Sequence, residues 1–423
     1  MAKKKTAEKP QRQWTRRQLS QYQKQQRRQR FIFIGGITVI AIVVLLIFAG
    51  WLVGEYLPMH ATVIKVGENE YDMQYYIDTI EFYVKNMGAD VMTAASSVPT
   101  LIQNNALAIM DAEKKGITVE DEEARDILTG AESEINNASI DFVKAQLVNQ
   151  RVREEYFSGQ VPVSANQVNV RVMLLESESQ AAETRDRLQS SENFSALAGE
   201  ISLHASTNAT GGEAGWHPEE VLEVELGSSV PVEFTFGAEA GDLSQPLYDE
   251  EIRKQVGYWL VNVHEKTGEE GATLTLVLLG SEEEAEDIRA RILTTENVTA
   301  LIDEYSQHAA SRTRGGEYGP VFEGEMSEAV DAYVFDENVE TGVWSQPIRD
   351  DTVSTKGGYW LVEVIDKEND RELSEEDREV LVNKEYYEWS SGLMQSYADL
   401  LDISNLTPDR MQQAIKKVQE GLE

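Results

Sequence analysis

The 423-residue chain contains no cysteine. That excludes disulfides, thiolate metal sites, a cysteine nucleophile and a lipid-modified cysteine anchor, so an oxidising exterior would leave no mark. Histidine is scarce as well: there are five, and His60, His217 and His264 stand at no metal-ligand spacing. No metal or cofactor is expected. The chain has no phosphate-binding glycine loop and no serine-hydrolase elbow. Paired carboxylates single out nothing among 74 Asp and Glu. Basic residues number only 38, for a formal net charge of −36.

That charge is uneven. Residues 1–30 hold eleven Lys and Arg against Glu8 alone. Phe31 to Gly54, "FIFIGGITVIAIVVLLIFAGWLVG", then runs 24 residues without a charge, enough to cross a hydrocarbon core of about 30 Å. A cleaved signal peptide would have an apolar region of about 7–15 residues and a small-residue cleavage site, which this run lacks. A retained, single-pass cell-membrane anchor is expected, with the basic tail cytoplasmic and residues 55–423 extracytoplasmic. The tail suits anionic headgroups. Beyond residue 30 stand 27 basic and 73 acidic residues, a strongly solvated surface that repels nucleic acid.

The chain repeats itself. "RVMLLESESQAAETRDRL" from Arg171 lies over "TLVLLGSEEEAEDIRARI" from Thr275, and "SLHASTNATGGEAG" from Ser202 over "SQHAASRTRGGEYG" from Ser306. "GDLSQP" at Gly241 then matches "GVWSQP" at Gly342, and "GYWLV" at Gly257 matches "GYWLV" at Gly358. Each copy reads as strand, helices, glycine turn, short helix, turn, strand. The double glycine supplies a positive φ, and the Pro after Ser-Gln suits a strand start or edge. The expected fold class is α+β, each copy a small antiparallel sheet with helices packed on it.

The flanks are helical. Met73, Tyr76, Ile77, Ile80, Tyr83 and Val84 fall at helical spacing. "VPTLIQNNALAIMDAEKKG" predicts a second helix with Pro99 near its start and Gly116 as its stop. "DEEARDIL" and "IDFVKAQLVNQRVREEYF" predict two more. Ser374 is placed to cap a long helix to about Leu401, and Thr407 to cap another that begins at Pro408. The expected order is a basic tail (1–30), a membrane span (31–54), a helical domain (55–160), repeats at 161–267 and 268–368, and closing helices (369–423) that can pack on 55–160.

The blocks "FSALAGEIS", "GGEAGW", "GDLSQP" and "VGYWLVNV" resemble a parvulin-type (PpiC, rotamase) peptidyl-prolyl isomerase domain, and the second copy resembles another. The segment "ATVIKVGENEYDMQYY" with "LIQNNALAIMDAEKKGITVEDEEA" is similar to the helical chaperone domain of the SurA, PrsA and PpiD foldases. The resemblance covers roughly residues 60–400. It implies a membrane-anchored foldase that holds unfolded or newly exported polypeptides and, in many members, speeds rotation at Xaa-Pro bonds. That rotation crosses a barrier of about 20 kcal/mol, and an apolar pocket favouring the twisted amide suffices to speed it.

The family places one histidine on the first strand and one on the last, beside a proline pocket of one Met and two Phe. The resemblance maps the first position to Val172 and Leu276 and the last to Trp259 and Trp360, so both copies lack both histidines. In the second copy it maps the pocket to Met326, Val330 and Phe335; the first copy keeps Phe236 and lacks the Met. Either Trp could fill core or stack on a peptide. His204 and His308 recur at equivalent positions and are the candidate polar groups of the site. Two readings stand: an isomerase working without the family histidines, and a holding chaperone whose parvulin domains only bind peptide. A short tail with no output domain argues against a sensor.

Overall fold

The structure, a computed structural model, describes residues 16–130, 134–267, 271–294 and 297–422. Half of the basic tail lies outside them. The helix Arg16–Trp51 carries the apolar run and continues through a wider turn, Leu52–Tyr56, to Leu57–Met59. Gln26–Met59, 34 residues that contain an 18-residue stretch of mean hydropathy 3.1, is long and apolar enough to cross a membrane.

The chain then forms two compact units, one from the residues up to Tyr156 together with Tyr386–Glu423, the other from Phe157–Glu385. In the first, β1 (Thr62–Val66) and β2 (Asn69–Asp72) form a hairpin, and β11 (Leu401–Asp402) joins the free side of β1. Tyr76, Ile80 and Leu107 pack with Ala414 and Val418 of the closing helix Pro408–Leu422. Helix starts follow side-chain caps: Asp72 accepts from Tyr75 N at 2.9 Å, and Asn136 with Ser139 forms a reciprocal capping box. The second helix differs from expectation. It runs Val91–Lys114, begun by Asp90 accepting from Met92 and Thr93 N, and Pro99 lies inside it. An interior proline leaves the carbonyl four residues back without its donor; here that is Ala95, and Tyr76 Oη donates to it at 2.6 Å. The helix expected from Ser374 ends at Ser396, short of Leu401.

The second unit holds two four-stranded antiparallel sheets. One has the order β4 (Glu213–His217), β3 (Ser164–Leu175), β10 (Thr355–Glu372), β5 (Leu247–Lys254). The other has the order β8 (Glu317–Val321), β7 (Gly271–Leu279), β6 (Gly257–Thr267), β9 (Ile348–Asp350). The two "GYWLV" strands have therefore changed places. β6, from the first repeat, pairs with β7 of the second (Val261 opposite Leu276), while β10, from the second, pairs with β3 of the first (Val362 opposite Val172). Sequence repeat and folded lobe divide the chain differently. Lobe one is β3, β4, β5 and β10; lobe two is the continuous run β6 to β9. The short link between β6 and β7 lets them close as a local hairpin, which costs little loop entropy.

Within each lobe the repeat is otherwise kept. Ser177 and Ser281 cap the helices Glu178–Gln189 and Glu282–Leu293, and Asn193 and Asn297 cap the next pair. Gly212 and Gly316 have φ of +84° and +90°. A Cβ on Gly212 would stand 2.7 Å from Val172 O, because the turn is hydrogen-bonded to the first strand there, Val172 N to Gly212 O at 2.8 Å.

Candidate functional site

The exchange decides which candidate residues meet. In lobe two, Trp259 and Leu276 pack with Val330 and Val334, and Met326, Phe335, Tyr318 and Tyr333 lie partly buried against them. In lobe one, Val172 and Trp360 pack with Leu222, Leu226 and Val232, with Phe234 and Phe236 partly buried alongside. Trp259 thus joins the second repeat's pocket residues, and Trp360 the first's. This reverses the pairing expected from the repeat, because each Trp travels with its exchanged strand.

Both indoles belong to the core. Trp360 is fully buried and Trp259 is 3% exposed; Val172, Leu276 and Val330 are also fully buried. Val172 and Trp360 belong to the packed floor of lobe one and Trp259, Leu276 and Val330 to that of lobe two, and the stacking of a peptide on either indole has no open face to use. The partly exposed apolar groups at these positions are Phe236 in lobe one and Met326 and Phe335 in lobe two.

Sequence reasoning missed what holds the indoles. Trp360 Nε1 donates to Asp249 Oδ2 at 3.1 Å, and Trp259 Nε1 donates to Asp350 Oδ2 at 3.0 Å. Both carboxylates are buried, at 5% and 2% exposure. Asp249 also accepts from the Glu251 and Ile252 amides and the Ser228 hydroxyl, and Asp350 from the Thr352 amide and hydroxyl. Burial raises the Asp350 carboxyl, but the hydrogen bonds outweigh it, Thr352 and Trp259 among the donors, and hold it below the ordinary value. The signal was present: Asp stands three residues after "SQP" in both copies, in "SQPLYD" and "SQPIRD".

His204 and His308 meet the other side of the indoles, with ring centroids at 5.1 Å in both lobes and interplanar angles of 64° and 72°. Nδ1 of His204 pairs with Thr207 Oγ1, and Nδ1 of His308 with Ser311 Oγ, each at 2.9 Å. Burial pushes both imidazoles below their ordinary pKa, and Arg314 adds to the shift at His308. Both are therefore neutral at pH 7. A neutral imidazole in T-shaped contact with each indole adds no fixed charge to the site.

Residues 280–366 match the Rotamase family, described as a PPIC-type PPIASE domain. The second repeat carries a parvulin domain. The chain is also similar to known chaperones. It is 30% identical over 206 residues to the chaperone SurA of Chromohalobacter salexigens, 44% of this chain and 43% of that protein. It is 26% identical over 125 residues to the foldase protein PrsA of Geobacillus kaustophilus, 30% of this chain and 42% of that protein. The chain thus spans less than half the length of either. A crystal structure of the peptidylprolyl isomerase PrsA from Bacillus anthracis aligns over 83% of this chain and 97% of its own, at 9% identity and a TM-score of 0.25. The matched span begins just after β7 and ends inside β10, so it contains most of the strand that folds into lobe one and omits β6 and β7, the two inner strands of lobe two.

Proposed function

We propose that the chain is a membrane-anchored extracytoplasmic foldase that binds segments of unfolded, newly exported polypeptides, and that lobe two speeds rotation at Xaa-Pro bonds. The observation that carries this is the gathering of Leu276, Met326, Val330 and Phe335 over one sheet face, in the repeat that matches the rotamase domain. Met326 and Phe335 offer a proline ring an apolar face without a charge. Such a face disfavours the planar, strongly solvated amide relative to the twisted one, whose resonance and polarity are reduced. No nucleophile takes part, which fits a site whose histidines are neutral and whose carboxylate is occupied by an indole.

Lobe one favours the second reading, a holding module. Its floor also holds a buried indole, but Phe236 stands without a methionine partner. Inside and outside are assigned by the positive-inside rule: the basic residues before Phe31 stay in the cytoplasm, so residues 55–423 are outside.

The test uses the full chain in detergent micelles and a labelled peptide with one Xaa-Pro bond, with cis/trans exchange followed by NMR. Acceleration that Met326→Ala and Phe335→Ala each lower by about tenfold or more, roughly 1.4 kcal/mol of transition-state stabilisation, supports the isomerase. Peptide resonances that shift with no acceleration leave a holding chaperone. No response of either kind refutes the proposal.

A further inference from the structure

The exchanged strands are nearly the same sequence, "GYWLVNVHEK" and "GYWLVEVIDK". Each lobe grips its strand by the same contacts. The indole meets Asp249 or Asp350. Ser244 N donates to Val362 O and Ser345 N to Val261 O, both at 2.9 Å, while Gly241 N reaches Val364 O and Gly342 N reaches Val263 O, both at 2.7 Å. These contacts would be made equally well if each strand returned to its own repeat. They cannot select the exchange.

Three positions differ between the strands. Glu265 and Asp366 keep the same charge; the other two, Asn262 against Glu363 and His264 against Ile365, change chemistry and face positions that differ between the lobes. Glu363 of β10 stands opposite Arg171 of β3, with Arg171 Nη1 and Glu363 Oε2 at 3.2 Å; Arg171 also lies 3.6 Å from Glu213 on its other side. In lobe two the same places are held by Asn262 opposite Thr275, with Glu317 on the far side. His264 of β6 bonds Thr275 Oγ1 at 2.6 Å, where β10 has Ile365. Returned to its own repeat, β10 would set Glu363 beside Thr275 with Glu317 on the far side, two carboxylates with no cation between them where lobe one has Arg171. β6 would leave Arg171 facing Asn262 and His264, with neither able to replace Glu363.

We infer that Arg171–Glu363 in lobe one and His264–Thr275 in lobe two are a pairing code that selects the strand exchange and interlocks the two lobes. Lobe one then lacks an interior strand until residues 355–372 have been made, and each candidate site is completed by the other repeat. The inference does not depend on whether either lobe acts on proline.

The absence of cysteine makes a clean test in the full chain. Asn169 is opposite Asp366 in the exchanged sheet, and would be opposite Glu265 in the unexchanged one. In the Asn169→Cys/Asp366→Cys chain a disulfide forms; in Asn169→Cys/Glu265→Cys it does not. Peptide mapping of the oxidised protein reads both. Adding Asn262→Glu and Glu363→Asn reverses the code, moving the ratio of the two crosslinks by about tenfold toward 169–265. Should that variant not fold, Glu363→Gln moves the ratio in the same direction by a smaller factor. A 169–265 crosslink matching 169–366 in the parent, or a ratio that neither variant moves, overturns the inference.

Discussion

Lys254 is the residue whose burial is hardest to explain by packing. It is 3% exposed, at the end of β5 where the two exchanged strands cross, and its Nζ donates to the carbonyls of Gly357 and Lys356. No carboxylate is among its hydrogen-bond partners there, although Glu284 and Glu176 line the same cavity of about 340 Å³. Burial pushes its pKa from 10.5 down to about 8, with Glu284 and Glu176 opposing. Below pH 8 the lysine is charged folded and unfolded, and the cost of burying that charge, about 3 kcal/mol, is fully felt. Between pH 8 and 10.5 the unfolded chain keeps the proton and the folded chain has lost it, so stability rises with pH. Lys254→Met should abolish that rise. Urea denaturation midpoints at pH 7.5 and 9.5 check it: the parent gains stability, the variant does not. Staying below pH 10 avoids Tyr258, whose hydroxyl burial raises to about 12 and whose contribution has the opposite sign.

At the scale of elements, the helix Val91–Lys114 shows what a pattern can and cannot convey. Its stop was legible, since Gly116 adopts φ +81° just past the last turn. Its start was not, because Pro99 reads as a first-turn residue unless something else satisfies the Ala95 carbonyl. That something is Tyr76, 19 residues before Ala95 and on another helix, which no local window contains. Tyr76→Phe should cost about 1–3 kcal/mol, the penalty for a buried carbonyl left unpaired. Pro99→Ala restores a backbone donor four residues on, so in the double variant most of that loss should return. A double-mutant cycle by urea denaturation measures it; additive losses would show that the Tyr76 bond carries no such role. The same limit applied at the candidate sites. The floor residues stood out because the resemblance to the parvulin domain mapped them, and the recurring histidines because the repeat aligned them. Asp249 and Asp350 stood out equally in the alignment, but acids are so common here that only the indole contact marks them. Which Trp serves which lobe was not legible in the two identical pentapeptides; the residues that differ, Asn262 against Glu363 and His264 against Ile365, follow them and gain meaning only from the strands they face.

Across the whole second unit, the exchange separates what is continuous in sequence from what can fold. Lobe two needs nothing outside residues 257–350 to complete its sheet. Lobe one is different: β10 lies between β3 and β5, so a chain stopping at residue 255 would leave two bare strand edges and the Val172 side of a core open. Residues 256–353 expressed alone should therefore unfold cooperatively on heating, while residues 157–255 should not. Adding a synthetic peptide of residues 355–372 to 157–255 should restore a folded lobe, read by the blue shift of Trp360 fluorescence as its indole reaches Asp249. A peptide of residues 254–271, equal in length, offers the same Tyr-Trp-Leu-Val but brings Asn262 and His264 to Arg171 in place of Glu363. It should bind more weakly, by about threefold to tenfold for the loss of one partly exposed ion pair, and the difference should shrink as salt screens the pair. Equal binding of the two peptides, at low and high salt alike, would mean that chain connectivity alone sets the exchange.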